Sequence, residues 1–167
     1  MLEDISPKSC IEFAVVTEEN GAKFYGHLAK KFASNQEISN LFELLGKDEE
    51  VHKEQFSELL KDVPRQVDEV SSPEKSQYVR AMSISEFFSH YQGPFADVDK
   101  IDSRDDALEK AFAFEKATLG FYHAAQDVLG ENPTLTKVIE AEKSHISRLM
   151  KVMITGEKFR SLQDKWP

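Results

Sequence analysis

Two segments of the chain repeat one spacing: Glu49-x-x-His52 and Glu142-x-x-His145. On a helix, residues three apart share a face, so each pair turns a carboxylate and an imidazole toward the same place. Two further glutamates, Glu18 and Glu115, each open a Glu-x6-Tyr spacing that ends at Tyr25 and Tyr122. Carboxylates mixed with imidazoles are the donors of iron and manganese sites, and zinc or cobalt would also bind them. Four glutamates brought together away from water would repel one another at a cost of several kcal/mol each. Two divalent cations carry the charge that cancels theirs. A paired metal centre is therefore the chemistry these six residues can do, provided the fold brings them to one place.

The elements that must do so are helices with legible ends. Ser6-Pro7 opens the first with an N-cap and a proline at the first helical position. Ser34 to Glu37 has capping-box spacing and opens the second. Ser103, followed by Asp105 and Asp106, opens the third, Gly130 closes it, and Asn132-Pro133 opens the fourth. The spacing predicts helices over 7–33, 35–61, 103–129 and 133–155. The first three would each be about 40 Å long at 1.5 Å per residue.

Alternating steps of three and four trace one seam on each helix. The first reads Ile11, Val15, Glu18, Ala22, Tyr25, Ala29, Phe32, and the second Ile38, Phe42, Leu45, Glu49, His52, Phe56, Leu59. The third reads Leu108, Phe112, Glu115, Leu119, Tyr122, Gln126, Leu129, and the fourth Leu135, Val138, Glu142, His145, Leu149, Val152. A seam of this kind faces partner helices, so the glutamates and histidines point into the core. Glu18 and Glu49 lie at nearly equal distances from the first turn, and Glu115 and the Glu142/His145 pair lie at similar distances from the last. Antiparallel pairing then brings all six to one level.

Residues 62–102 link the second and third helices. So long a structureless loop is improbable in a compact domain, and Ser83 to Glu86 repeats the capping-box spacing, which predicts a short helix near 83–91. The remainder reads as an extended crossover that lets the second and third helices run parallel. The expected fold is all-α: an antiparallel four-helix bundle with a long crossover carrying a short extra helix. It forms one domain over 1–167, with a tail at 156–167.

Composition sets further bounds. Of the 167 residues, 40% are hydrophobic and 31% charged, as in one globular domain. With 21 basic residues against 30 acidic ones, the net charge of −9 argues against nucleic-acid binding. The single cysteine, Cys10, excludes a disulfide framework, a cysteine zinc site and a CxxC redox pair within these residues. No apolar run approaches the ~18 residues of a membrane span. Glu3 and Asp4 stand where a secretory leader would carry positive charge, so a cytoplasmic chain is expected.

The segments TEENGAKFY (17–25), EEVH (49–52), FEKATLGFY (114–122) and EKSH (142–145) resemble the rubrerythrin-like branch of the ferritin-like superfamily. Such bundles hold two metals with one Glu from each of two helices and Glu-x-x-His from each of the other two. The resemblance covers about 7–155 and implies a di-iron centre ligated by Glu18, Glu49, His52, Glu115, Glu142 and His145. It also implies reduction of hydrogen peroxide in the cytoplasm and a homodimer. Two departures bear on this. The four-cysteine rubredoxin domain of full-length rubrerythrins cannot be built from one cysteine, so electrons must come from a separate donor protein. Thr118 stands about where rubrerythrins carry an extra carboxylate. The two metals could also be zinc, manganese or a mixed pair; the alternatives in function are a ferroxidase or iron-handling module that uses oxygen, and a non-catalytic bundle stabilised by zinc.

The remaining chemical residues read as structural. Tyr25 and Tyr122 are expected to hydrogen-bond carboxylates from the core. Glu19, Asp48 and Glu50 are expected to be solvated, His27, His90 and His123 lie off the seams, and Cys10 reads as a small core or surface residue. Phe87, Phe88 and Tyr91 read as packing of the crossover on the bundle, and Ser72 with Lys75 as a chance SxxK.

Overall fold

A computed structural model describes residues 6–63 and 98–163, with 156–163 by backbone alone. Among the described residues four helices make up the bundle: α1 (Pro7–Lys31), α2 (Gln36–Asp62), α3 (Arg104–Leu129) and α4 (Pro133–Gln163), with a 3-10 turn at Val98–Lys100 before α3. The short helix expected near 83–91, with Ser83, Glu86, Phe87, Phe88, His90 and Tyr91, lies outside the described residues, as do Ser72 and Lys75. No helix among the described residues is long and apolar enough to cross a membrane.

Capping by short polar side chains explains where the helices begin. The Ser6 hydroxyl accepts from the Ser9 N–H at 3.1 Å, and Ser9 reaches back to the Ser6 backbone. Ser103 accepts from the Asp106 N–H at 3.1 Å, and Asn132 from the Leu135 N–H at 3.1 Å. The cap of α2 is Asn35, not Ser34: its side chain accepts from the Ile38 N–H at 3.3 Å. Asn caps as well as Ser does, and the bond from the Asn35 N–H to the Phe32 carbonyl at 2.9 Å closes the turn one residue later than the box spacing suggests. Gly130 closes α3 at φ 68°, a left-handed backbone that favours glycine.

The last helix is longer than its sequence spacing predicts, running through Gly156 to Gln163, so 156–163 is helix and not tail. An interior glycine costs a helix only about 1 kcal/mol, and the good helix formers that follow it offset that cost.

The core has three layers. One apolar cluster gathers Phe24, Leu28, Ile38, Phe42, Leu45, Leu108 and Phe114, and a second gathers Ile11, Phe56, Phe121, Leu135, Val138 and Ile139. Between them lies a polar layer of buried Glu18, Glu49, His52, Glu115, Glu142 and His145. The contacts run in opposite senses along α1 and α3, because Tyr25 meets Glu115 while Tyr122 meets Glu18. The same holds for α2 and α4, where His52 meets Glu142 and His145 meets Asp48. The buried face of α3 is turned from its predicted seam: Ala111, Phe114, Thr118 and Phe121 are buried, while Phe112, Leu119, Gln126 and Leu129 are only partly so.

Candidate metal centre

Each helix delivers its polar residues at mid-length, and the antiparallel register stacks them at one height. The six side chains form two overlapping groups of potential ligands. One is Glu18, Glu49, His52 and Glu142; the other is Glu49, Glu115, Glu142 and His145, and in each the ligand atoms lie within 4.8 Å of one another. Glu49 and Glu142 belong to both.

The distances show how these two are shared. His52 Nδ1 lies 3.2 Å from Glu49 Oε2, 3.2 Å from Glu142 Oε1 and 3.6 Å from Glu18 Oε2. His145 Nδ1 lies 3.6 Å from Glu49 Oε1, 3.5 Å from Glu142 Oε2 and 3.4 Å from Glu115 Oε2. Both shared glutamates thus turn one oxygen toward each histidine, while Glu18 and Glu115 each serve one side. The imidazole rings stack at 5.5 Å between centroids.

Tyr25 donates to Glu115 Oε1, and Tyr122 donates to Glu18 Oε1. That leaves Oε2 of each glutamate for the centre. Buried polar atoms without a hydrogen-bond partner include Glu18 Oε2, Glu115 Oε2, Glu49 Oε1, both oxygens of Glu142 and His145 Nδ1. Native cores seldom leave such groups unmet, and an unbound ion is one standard reason. Five orphaned carboxylate oxygens and an imidazole nitrogen around two shared carboxylates match the donor set of a pair of divalent cations.

Without metal, protons must do part of that work. Burial, then the charges of Glu142 and Glu18, push the Glu49 carboxyl well above the ordinary range. Burial and the Glu142 charge raise Glu115 to about 8, against the opposing pull of His145. Burial disfavours charge on the histidines, but their carboxylate partners outweigh it and raise His52 to about 9 and His145 to about 11. Burial alone would raise Glu142 as well; the adjacent His145 and His52 imidazoles reverse this and hold it below the ordinary range. Burial followed by the nearby carboxylates raises both tyrosines well above their usual value, so they stay protonated donors.

Gly21 makes room for this arrangement. A Cβ there would come within 3.2 Å of Glu49 Cγ and 3.2 Å of Phe114 Cε1. Gly21→Val should therefore displace Glu49 and destabilise the bundle by about 1–3 kcal/mol. A thermal melt checks the stability, and the metal content of the purified variant checks the displacement.

Other residues fall as follows. Asp48, a partly exposed flank of Glu49, also has partners: its Oδ2 lies 3.3 Å from His145 Nε2 and accepts from Arg148 Nη1 at 3.0 Å. The sequence signal for it was only its position one residue before a ligand-spaced glutamate. Glu19 is partly exposed and Glu50 exposed, and they pair with Lys23 and Lys53. His27 sits 3.9 Å from Asp99, and His123 Nδ1 lies 3.4 Å from Gln126. Cys10 is buried, and burial pushes its thiol up to about 12, so it is inert. Thr118 is 2% exposed, and its hydroxyl has no partner.

The family model described as Rubrerythrin matches residues 10–91, which span α1, α2 and the ligand-spaced Glu18, Glu49 and His52. No curated protein and no solved structure was found to match the chain. The second half of the centre, on α3 and α4, lies beyond the matched residues and repeats the geometry of the first.

Proposed function

We propose that this rubrerythrin-like chain of the ferritin-like superfamily is a di-iron oxidoreductase that reduces hydrogen peroxide with electrons from a separate donor protein. The observation that carries the reading is the division of Glu49 and Glu142, each of which offers one oxygen to either half of the centre. Glu18 with His52 would complete one metal position, and Glu115 with His145 the other. When bound, two ferrous ions supply the two electrons that, with two protons, take hydrogen peroxide to two waters.

The chain's own residues hold and enclose that chemistry. Tyr122 and Tyr25 fix the outer oxygens of Glu18 and Glu115, so the inner oxygens need no reorganisation to serve as ligands. Apolar layers on both sides keep bulk water from the carboxylates. Two surface grooves, one lined by Val51, Leu59 and Thr134 and one around Gly130 and Pro133, include none of the six residues. A centre so enclosed suits a small oxidant. Exposed Leu44 and Val51 on α2 and Met150 and Ile154 on α4 support pairing of two copies through outer helix faces.

One observation favours a second reading. Thr118 brings a neutral hydroxyl, not a carboxylate, to the layer beside Glu115. With one acid fewer, the same centre would serve a ferroxidase that turns over iron with oxygen. Stopped-flow oxidation of the Fe(II)-loaded protein separates the two. Peroxide should react at least tenfold faster than oxygen, with the iron retained. Equal rates with iron released or mineralised would favour the ferroxidase, and faster peroxide reaction in Thr118→Glu would show that this position limits the step.

A further inference from the structure

The two halves of the centre match in their ligands and differ in what stands behind them. Both histidines turn Nδ1 inward, toward three glutamates. Behind His145, Nε2 meets Asp48 at 3.3 Å, and Arg148 holds the same Asp48 oxygen at 3.0 Å. The antiparallel register of α2 and α4 that sets Asp48 against His145 sets Ala141 against His52, with Gln55 in the place of Arg148. Alanine has no acceptor, so among the described residues this clamp is built on one side only.

A carboxylate on the outer nitrogen does two things for an imidazole ligand. It fixes the tautomer that keeps the proton on Nε2 and the lone pair on Nδ1, and it makes that lone pair more basic. It also holds the ring's orientation, which an unclamped ring must give up entropy to adopt. Arg148 holds Asp48 aimed at the ring. The side chains differ in access as well: that of His145 is 1% exposed and that of His52 6%.

Resting on the two-metal reading above, we infer that the positions are unequal: the one completed by Glu115 and His145 fills first and holds its ion more tightly, and Asp48 is the positioning residue that makes it so. The position completed by Glu18 and His52 is the exchangeable one, through which an ion enters and leaves.

Stepwise binding alone would not test this, because the first dication repels the second even at identical positions. The identity of the first position does. Zinc is the probe, since it is diamagnetic and redox-inert. The metal-free full chain, labelled with 15N at histidine, is titrated with zinc while the imidazole nitrogens are followed by NMR. At one equivalent, His145 Nδ1 should show the metal-bound shift and His52 should remain free, a preference of at least tenfold. Asp48→Asn should reduce that preference by about 10–100-fold, the usual effect of removing a partner behind a metal-bound histidine, while Asp48→Glu should restore part of it. Ala141→Asp should build the missing carboxylate behind His52 and even out the two. Equal filling of both histidines at one equivalent, filling of His52 first, or an unchanged preference in Asp48→Asn would each overturn the inference and leave the two-metal centre standing. If no zinc binds at either histidine, the centre itself falls, and the inference with it.

Discussion

Glu142→Ala should empty both metal positions, whereas Glu18→Ala should empty only one. Glu142 turns Oε1 toward His52 and Oε2 toward His145, and Glu49 divides its oxygens the same way. Removing either takes a donor from both groups at once. Glu18 and Glu115 each belong to one group, so their loss spares the other. Iron content per chain after anaerobic loading and desalting reads the result directly. Near-complete loss in Glu142→Ala and Glu49→Ala, against about half in Glu18→Ala and Glu115→Ala, is the pattern that shared carboxylates require. Equal losses in all four variants would mean that no carboxylate is shared.

The second large effect is the pH dependence of the metal-free protein. Burial and the Glu142 charge raise Glu115 to about 8 from an ordinary 4.5, so the folded chain keeps a proton there that the unfolded chain has released. Stability from that proton is fully present below 4.5 and is lost as the pH rises toward 8. Glu49, raised mainly by burial, acts in the same direction. His52 and His145, at about 9 and about 11 against an ordinary 6.5, contribute stability that is lost as the pH climbs through those values. Glu142, held below the ordinary range, contributes above 4.5 and loses that contribution only as the pH falls. The metal-free chain should therefore be most stable near pH 5 and melt at steadily lower temperature from about pH 6 to 9.

Metal reverses this trend. Bound cations replace the protons, so loading should release protons at neutral pH and the loaded melting temperature should hold over the same range. Chelation at pH 8 should then cost many degrees. Glu115→Leu removes one buried acid, and without metal it should melt above the unaltered chain at pH 8. An unchanged melting temperature on chelation would contradict the charge balance on which the centre rests.

Much of this was legible in the sequence because the interruption of the apolar seams is itself periodic. A single Glu-x-x-His occurs by chance; two of them, with Glu18 and Glu115 at matching heights, leave little but a shared layer, and the structure gathers all six there. Helix starts were legible where one short polar residue stood before a proline or acids, as at Ser6 and Ser103. At Ser34-Asn35 two adjacent caps competed, and spacing could not rank them. The apolar seam of the fourth helix could be followed only to Val152, and spacing alone did not show that the backbone stays helical to Gln163. Asp48 was missed for a related reason. Its partners, His145 and Arg148, are far away in the chain, and only the crossing of α2 and α4 joins them. The single-residue difference between the halves, Asp48 against Ala141, became meaningful only once the register was known.

The claim that four buried glutamates and two histidines hold one pair of ions is tested most directly by X-ray absorption at the iron edge on the anaerobically loaded chain. The expected spectrum shows two irons per chain, mixed nitrogen and oxygen ligands with about one histidine per metal, and an iron–iron vector of about 3.5–4 Å. One iron per chain, or two with no metal–metal vector in that range, would contradict it.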